Sequence, residues 1–244
     1  MADTETLSRT FRAPCGACLE CDVRSMAVCA ALDDSEVGAL EKIMTPRALE
    51  HDQLLAQEGD ARVHVYTLTS GMLRLSSALP DGRRQITGFL MPGDYFGLAD
   101  DRVHTQTAEA VTGSHLCAFP VRDMAKLMTV YPQLKDRLFV MTQLALRQAQ
   151  DSQMILGRLT PLEKLAAFLL VFSRRAAARK QKDNPVLLPM PRADIADFLG
   201  LTVETVSRSF SELKKRGLIG LPDAHTVDLT DRAALARLAS MELH

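Results

Sequence analysis

Four of the five cysteines fall within the first 29 residues, as Cys15-Gly-Ala-Cys18-Leu-Glu-Cys21 and then Cys29, and the fifth, Cys117, stands far downstream. Thiolates are the ligands of soft metals and of iron–sulfur clusters, and the nucleophiles of redox chemistry. Residues 1–14 carry Arg9 and Arg12 but no apolar run ending in a small-residue cleavage site, so the chain is expected to stay in the reducing cytoplasm. Clustered thiols there point to a metal centre that ties an arm to a folded domain through one distant cysteine. Two plainer uses stand beside it: a tetrahedral zinc site built on a C-x-x-C pair, or an arm of incidental thiols with Cys117 as a buried core residue.

A second group of residues has the chemistry of base recognition. Ile195 to Leu201 reads as a short helix ending at Gly200, and Thr202 is a good N-cap for a second helix running to Arg216-Gly217. Ala196, Gly200 and Val206 have the spacing of a helix-turn-helix, in which alanine permits close approach, glycine takes the left-handed turn and valine fills the junction. Glu204, Ser207 and Arg208 then lie at i, i+3 and i+4, on one face. Arginine donates a bidentate pair to guanine, glutamate accepts from cytosine N4, and serine serves either role. Leu218-Ile219 and Thr226-Val227-Asp228-Leu229 flank Pro222-Asp223 as a wing would. DNA binding is the expectation.

These residues need elements to carry them. Residues 31–45 read as a short helix capped by Asp34 or Ser35. From about 46 to 120, short alternating runs such as Val63–Leu68 and Met72–Ser76 are punctuated by Gly59, Gly71, Gly82 and Gly93, the pattern of an all-β roll. Beyond Val121 lies a glycine-poor stretch whose only proline before Gly157 is Pro132, and downstream of it comes a long amphipathic helix. Its stripe of Met141, Leu144, Gln148, Asp151 and Ile155 reads as a dimer seam. Thr160-Pro161 opens the next helix and marks a domain boundary. The predicted architecture is α+β: an arm (1–30), a jelly-roll-like β-roll (31–120), a dimerisation helix (121–157) and a winged helix-turn-helix domain (158–244).

Charge follows the same division. The overall balance is −1, but residues 158–220 hold twelve Lys/Arg against six Asp/Glu, a local +6 that leaves the remainder at −7. A basic module on an acidic body suits a phosphate-facing head. No Gly-rich phosphate loop or nucleophile–base set suggests an enzyme, and His51, His64, His104 and His115 are scattered through the roll. The longest apolar run, Leu165–Phe172, is too short to cross a bilayer.

Taken together, the order of elements resembles the cyclic-AMP receptor protein/fumarate-and-nitrate-reduction regulator superfamily over nearly the whole chain, from about Cys15 to Leu238. Three stretches carry the resemblance: Arg84-Gln85-Ile86-Thr87-Gly88-Phe89 with Pro92-Gly93-Asp94, Glu163–Phe168, and Leu199–Arg208 with its Glu-x-x-Ser-Arg motif. The similarity to the oxygen-responsive branch implies a homodimeric regulator, probing TTGAT-type palindromes with Glu204, Ser207 and Arg208, flanked by Thr202 and Thr205, and contacting RNA polymerase. It also implies a [4Fe-4S] cluster held by Cys18, Cys21, Cys29 and Cys117, with Cys15 as a possible substitute, and loss of activity when oxygen degrades that cluster. Activation of anaerobic or microaerobic genes follows from the same likeness. Alternatives within the superfamily are a zinc-dependent or a cyclic-nucleotide-dependent regulator. Val103-His104-Thr105-Gln106 stands where nucleotide-binding members place a phosphate-gripping arginine.

Asp151 interrupts the seam with a carboxylate. In a parallel dimer two such groups about 5 Å apart, at an effective dielectric near 20, repel by roughly 3 kcal/mol. The resemblance implies that this repulsion poises the dimer.

Overall fold

The computed structural model describes residues 18–78, 81–98 and 102–240. Of these, 18–77 and 87–144 form one compact unit, and 78–86 with 145–240 form a second.

The first unit holds most of a β-roll of two four-stranded antiparallel sheets; residues 78–86, at the ends of two adjacent strands and the turn between them, are counted with the second unit. β1 (Thr45–Leu49), β8 (Ser114–Pro120), β3 (His64–Ser70) and β6 (Tyr95–Phe96) make one sheet in that order. β2 (Leu54–Ala56), β7 (Thr107–Ala110), β4 (Leu73–Ala78) and β5 (Arg84–Leu90) make the other. Strand periodicity sorts the side chains of β3 and β8 between two cores. Tyr66, Leu68, Leu116 and Ala118 join Leu73, Phe96 and Ala108 in the core shared by both sheets. Val65, Cys117 and Phe119, on the alternate face, meet the arm and the helices. Gly71 makes the sharp turn between β3 and β4 at φ 86°, and a Cβ there would lie 2.6 Å from Gly113 O and 2.7 Å from Ser114 Cα. No side chain fits.

The arm and the start of the helical layer differ from the expected single helix over 31–45. The chain makes 3-10 turns at Cys18–Glu20 and Val28–Ala31, and α1 occupies only Gly38–Ile43. The reason is local: Asp33, rather than Asp34 or Ser35, accepts from Ser35 N at 2.8 Å and Glu36 N at 2.9 Å, holding a turn before the helix begins. Leu40 and Leu134 are completely buried beneath this turn, each contributing about 1.5–3 kcal/mol of hydrophobic stabilisation. Arg137 fastens the arm to the helical layer, donating to Met26 O and, at 3.2 Å, to Ala27 O.

Between 121 and 158 the helix divides. α2 (Val121–Val130) stops at Tyr131, and α3 (Gln133–Arg158) restarts after Pro132, whose missing N–H and pyrrolidine ring suit a first turn but not a helix interior. α3 carries Leu144, Leu146 and Met154 at 49%, 60% and 70% exposure, apolar side chains on different faces that its own chain leaves uncovered.

In the second unit α3 is followed by α4 (Pro161–Ala178). Its capping box is complete: Glu163 accepts from Thr160 N at 2.7 Å, and the Thr160 side chain receives the N–H of the third helical residue. Then follow β9 (Val186–Leu187), α5 (Arg192–Leu199), α6 (Val203–Lys215), β10 (Ile219–Gly220), β11 (Thr226–Leu229) and α7 (Arg232–Leu238). β9 pairs with β11 to make the wing three-stranded, one strand more than the expected hairpin. The Phe168 ring lies 4.5 Å from that of Phe172 and 5.6 Å from that of Phe198, both tilted, so α4 supplies the floor on which α5 rests.

Candidate nucleic-acid interface

The reading head forms where local rules place it. α5 ends because Gly200 adopts φ 62°, ψ 43°, a left-handed residue that side chains resist. Ala196 O then receives both Gly200 N and, at 3.0 Å, Leu201 N. Thr202 caps α6, its Oγ1 accepting Thr205 N at 3.2 Å. Ala196 and Val206 are buried at the junction between α5 and α6, as their spacing requires.

Burial divides α6 into two faces. Val206, Ser209, Phe210 and Leu213 point into the unit, whereas Glu204, Ser207 and Arg208 are all exposed. Backbone and Thr202 hydrogen bonds, aided by the Arg208 charge, hold the Glu204 carboxyl below its usual range. It is therefore an ionised acceptor at neutral pH, able to take a cytosine amino proton. Thr202 and Thr205 share a 3.0 Å hydroxyl contact, so their side chains chiefly complete the cap. In the basic tail Arg216 pairs with Glu212 at 2.8 Å, leaving Lys214 and Lys215 as the solvent-facing cations.

Two residues that the sequence offered only as part of the family resemblance, with no role in the head, complete it. Arg84 lies 3.1 Å from Asp194 and 2.8 Å from Asp197, and Gln85 donates to the carbonyls of Asp197 and Phe198. All belong to the second unit. Nothing in the local sequence signals a partner more than 100 positions away.

The predicted metal centre is not borne out. Cys18, Cys29 and Cys117 are buried at 6–7% exposure in one apolar cluster with Ala27, Val28, Leu40, Val65, Phe119 and Leu134, and Cys21 packs against it. Among the described residues no group of three or more His, Cys, Asp and Glu side chains is arranged to hold a metal ion. Cys15 lies outside the described residues. The arm's turns bury the thiols as small apolar side chains, so the expected [4Fe-4S] ligand set, the oxygen response built on it and the zinc alternative are all corrected. Burial also pushes the neighbouring Tyr95 phenol upward. His104, within the stretch where the resemblance places a phosphate-gripping arginine in nucleotide-binding members, is buried with its ring stacked 5.0 Å from Phe96.

Comparison with known proteins agrees with this architecture. Residues 46–131 match the cyclic nucleotide-binding domain, and residues 163–238 match the Crp-like helix-turn-helix domain. The nitrogen fixation regulation protein FixK of Bradyrhizobium diazoefficiens is 37% identical over 223 residues, covering 91% of this chain and 94% of its own. The chain belongs to the CRP/FNR family. The transcriptional activator protein FnrL of Cereibacter sphaeroides is 36% identical, over 89% of this chain and 90% of its own. Among solved structures, FixK2 from Bradyrhizobium japonicum superposes with a TM-score of 0.76 at 35% identity, over 82% of this chain and all of that one. A CooA mutant from Carboxydothermus hydrogenoformans, 20% identical with a TM-score of 0.68, shares the fold. The fold and the relatives are those of CRP/FNR-family transcriptional regulators, not enzymes. No described helix is long and apolar enough to cross a membrane.

Proposed function

We propose that this protein is a cytoplasmic transcription regulator that dimerises along α3 and reads a two-fold symmetric operator with α6. One observation carries the reading: Glu204, Ser207 and Arg208 stand exposed on one face of an N-capped helix whose other face is buried. Arg208 reads guanine O6 and N7, Glu204 takes a cytosine N4 proton, and Ser207 bridges to either. Lys214 and Lys215 add attraction to phosphate that any sequence supplies.

The seam of Met141, Leu144, Gln148, Asp151 and Ile155 runs along the part of α3 that its own chain leaves largely uncovered, and a second copy of the helix is the occupant that suits it. Two-fold pairing sets the recognition helices about 34 Å apart, one turn of DNA. The FnrL relative is named a transcriptional activator, which supports contact with RNA polymerase as the outcome of binding.

Selection from a library of random duplexes tests this reading. The expected winners are palindromes whose half-sites are centred one helical turn apart, each with a guanine and a cytosine step. Failure to enrich any sequence, or enrichment of asymmetric single half-sites, would remove it.

A further inference from the structure

α5 is only eight residues long, too short to persist without outside partners. Its last four carbonyls have no partner within the helix and need donors from elsewhere. Each has one. Ala196 O is taken by the turn, through Gly200 N and Leu201 N. Leu199 O receives Lys164 Nζ from α4 at 3.1 Å. The remaining two, Asp197 O and Phe198 O, both receive Gln85 Nε2, at 2.6 Å and 3.2 Å. A side chain 112 positions upstream thus does the work of a C-terminal cap.

The adjacent residue grips the side-chain face of the same helix. Arg84 Nη2 reaches Asp194 Oδ1 at 3.1 Å and Asp197 Oδ2 at 2.8 Å, while its Nε donates to Asp197 Oδ2 at 3.1 Å. Asp194 has a side chain only 3% exposed, so its carboxylate has given up most of its water and depends on charged and polar neighbours. The planar guanidinium spans two carboxylates one helical turn apart, a geometry that an ammonium cannot reproduce.

We infer that Arg84 and Gln85 are positioning residues of the reading head: by fixing α5 at its side chains and at its carbonyl end, they set the angle at which α6 presents Glu204, Ser207 and Arg208. The inference rests on the DNA-reading function proposed above. α5 and α6 pack directly against each other, with the Arg192 guanidinium over the Phe210 ring, so a tilt of α5 is carried to α6. Neither Arg84 nor Gln85 touches a base or a phosphate in this scheme. Their effect is on geometry.

The test uses the full-length dimer and the palindrome that the wild type selects, well below the melting temperature. Arg84→Ala with Gln85→Ala is expected to weaken binding about tenfold or more, the scale of losing one charge-assisted hydrogen bond. The slope of log affinity against log salt should stay unchanged, because no phosphate contact is removed. Arg84→Lys, which keeps the charge but cannot span both carboxylates, should recover only part of the affinity. Should the alanine pair unfold, Gln85→Glu keeps the shape but removes the donor, and it should weaken binding with the same unchanged slope. Wild-type affinity in either variant overturns the inference, as does a shallower salt slope, which would mark a direct phosphate contact. A wild type that selects no duplex at all is a different failure, that of the DNA-reading function itself.

Discussion

Arg192, the first residue of α5, lays its guanidinium carbon 3.4 Å from the centroid of the Phe210 ring on α6. The two helices of the reading head are therefore joined by a cation–π contact in addition to their packing against each other. Burial draws the Arg192 pKa down, yet arginine remains charged at any working pH. A partly desolvated contact of this kind is worth about 1–2 kcal/mol. Arg192→Ala should lower the stability of the full-length protein by that amount in urea unfolding, and an unchanged midpoint would show the stacking to be inert.

The thiols give a direct check on the arm. Cys18, Cys29 and Cys117 are buried and Cys21 is half-exposed. Pulsed alkylation read by mass spectrometry should label Cys21 before Cys18, Cys29 and Cys117, which react only as the arm opens. Cys117 labelling as fast as Cys21 in the native protein would mean that the arm does not cover it.

The seam is tested from both directions. Leu144 is 49% exposed and apolar, so Leu144→Glu should leave a monomer in sedimentation experiments. Asp151→Ala should instead tighten the dimer, by up to roughly a hundredfold if the repulsion of about 3 kcal/mol is fully relieved. A dimer indifferent to both changes would place the interface elsewhere.

The capping box of α4 predicts a pH dependence. Hydrogen bonds from the Thr160 backbone and then its side chain hold the Glu163 carboxyl below its ordinary value. The folded pKa is thus lower than the unfolded one of about 4.3. The stabilisation is fully present above that value and is lost as pH falls through the lower folded pKa. Glu163→Gln should flatten this acid limb of the stability profile; an identical limb would show that the box does not couple to folding.

Where the sequence spoke clearly, it spoke through local rules. Alternation along β3 and β8, the glycine turns, and the spacing of Ala196, Gly200 and Val206 each follow from contacts within a few residues, and the roll and reading head stand as those patterns require. The break at Pro132 and the short α1 are local too, but they depend on Asp33 and on one pyrrolidine ring outweighing a longer apolar pattern. Arg84 and Gln85 are a different matter, since a pairing across 110 positions leaves no trace in either neighbourhood. The cysteines show the limit of spacing as evidence. Ligand-like intervals say nothing about where sulfur atoms point, and the arm's turns send Cys18, Cys29 and Cys117 into an apolar cluster.

The central claim, that α6 reads bases, is tested most directly by measuring the affinity of wild type and Arg208→Ala for the selected palindrome and for each of its single-base variants. The account predicts that the variant loses its preference at one guanine per half-site, a loss of about 1–3 kcal/mol there, while discrimination at the other positions survives. Equal weakening on every duplex, as for a phosphate contact, or no weakening at all, would contradict it.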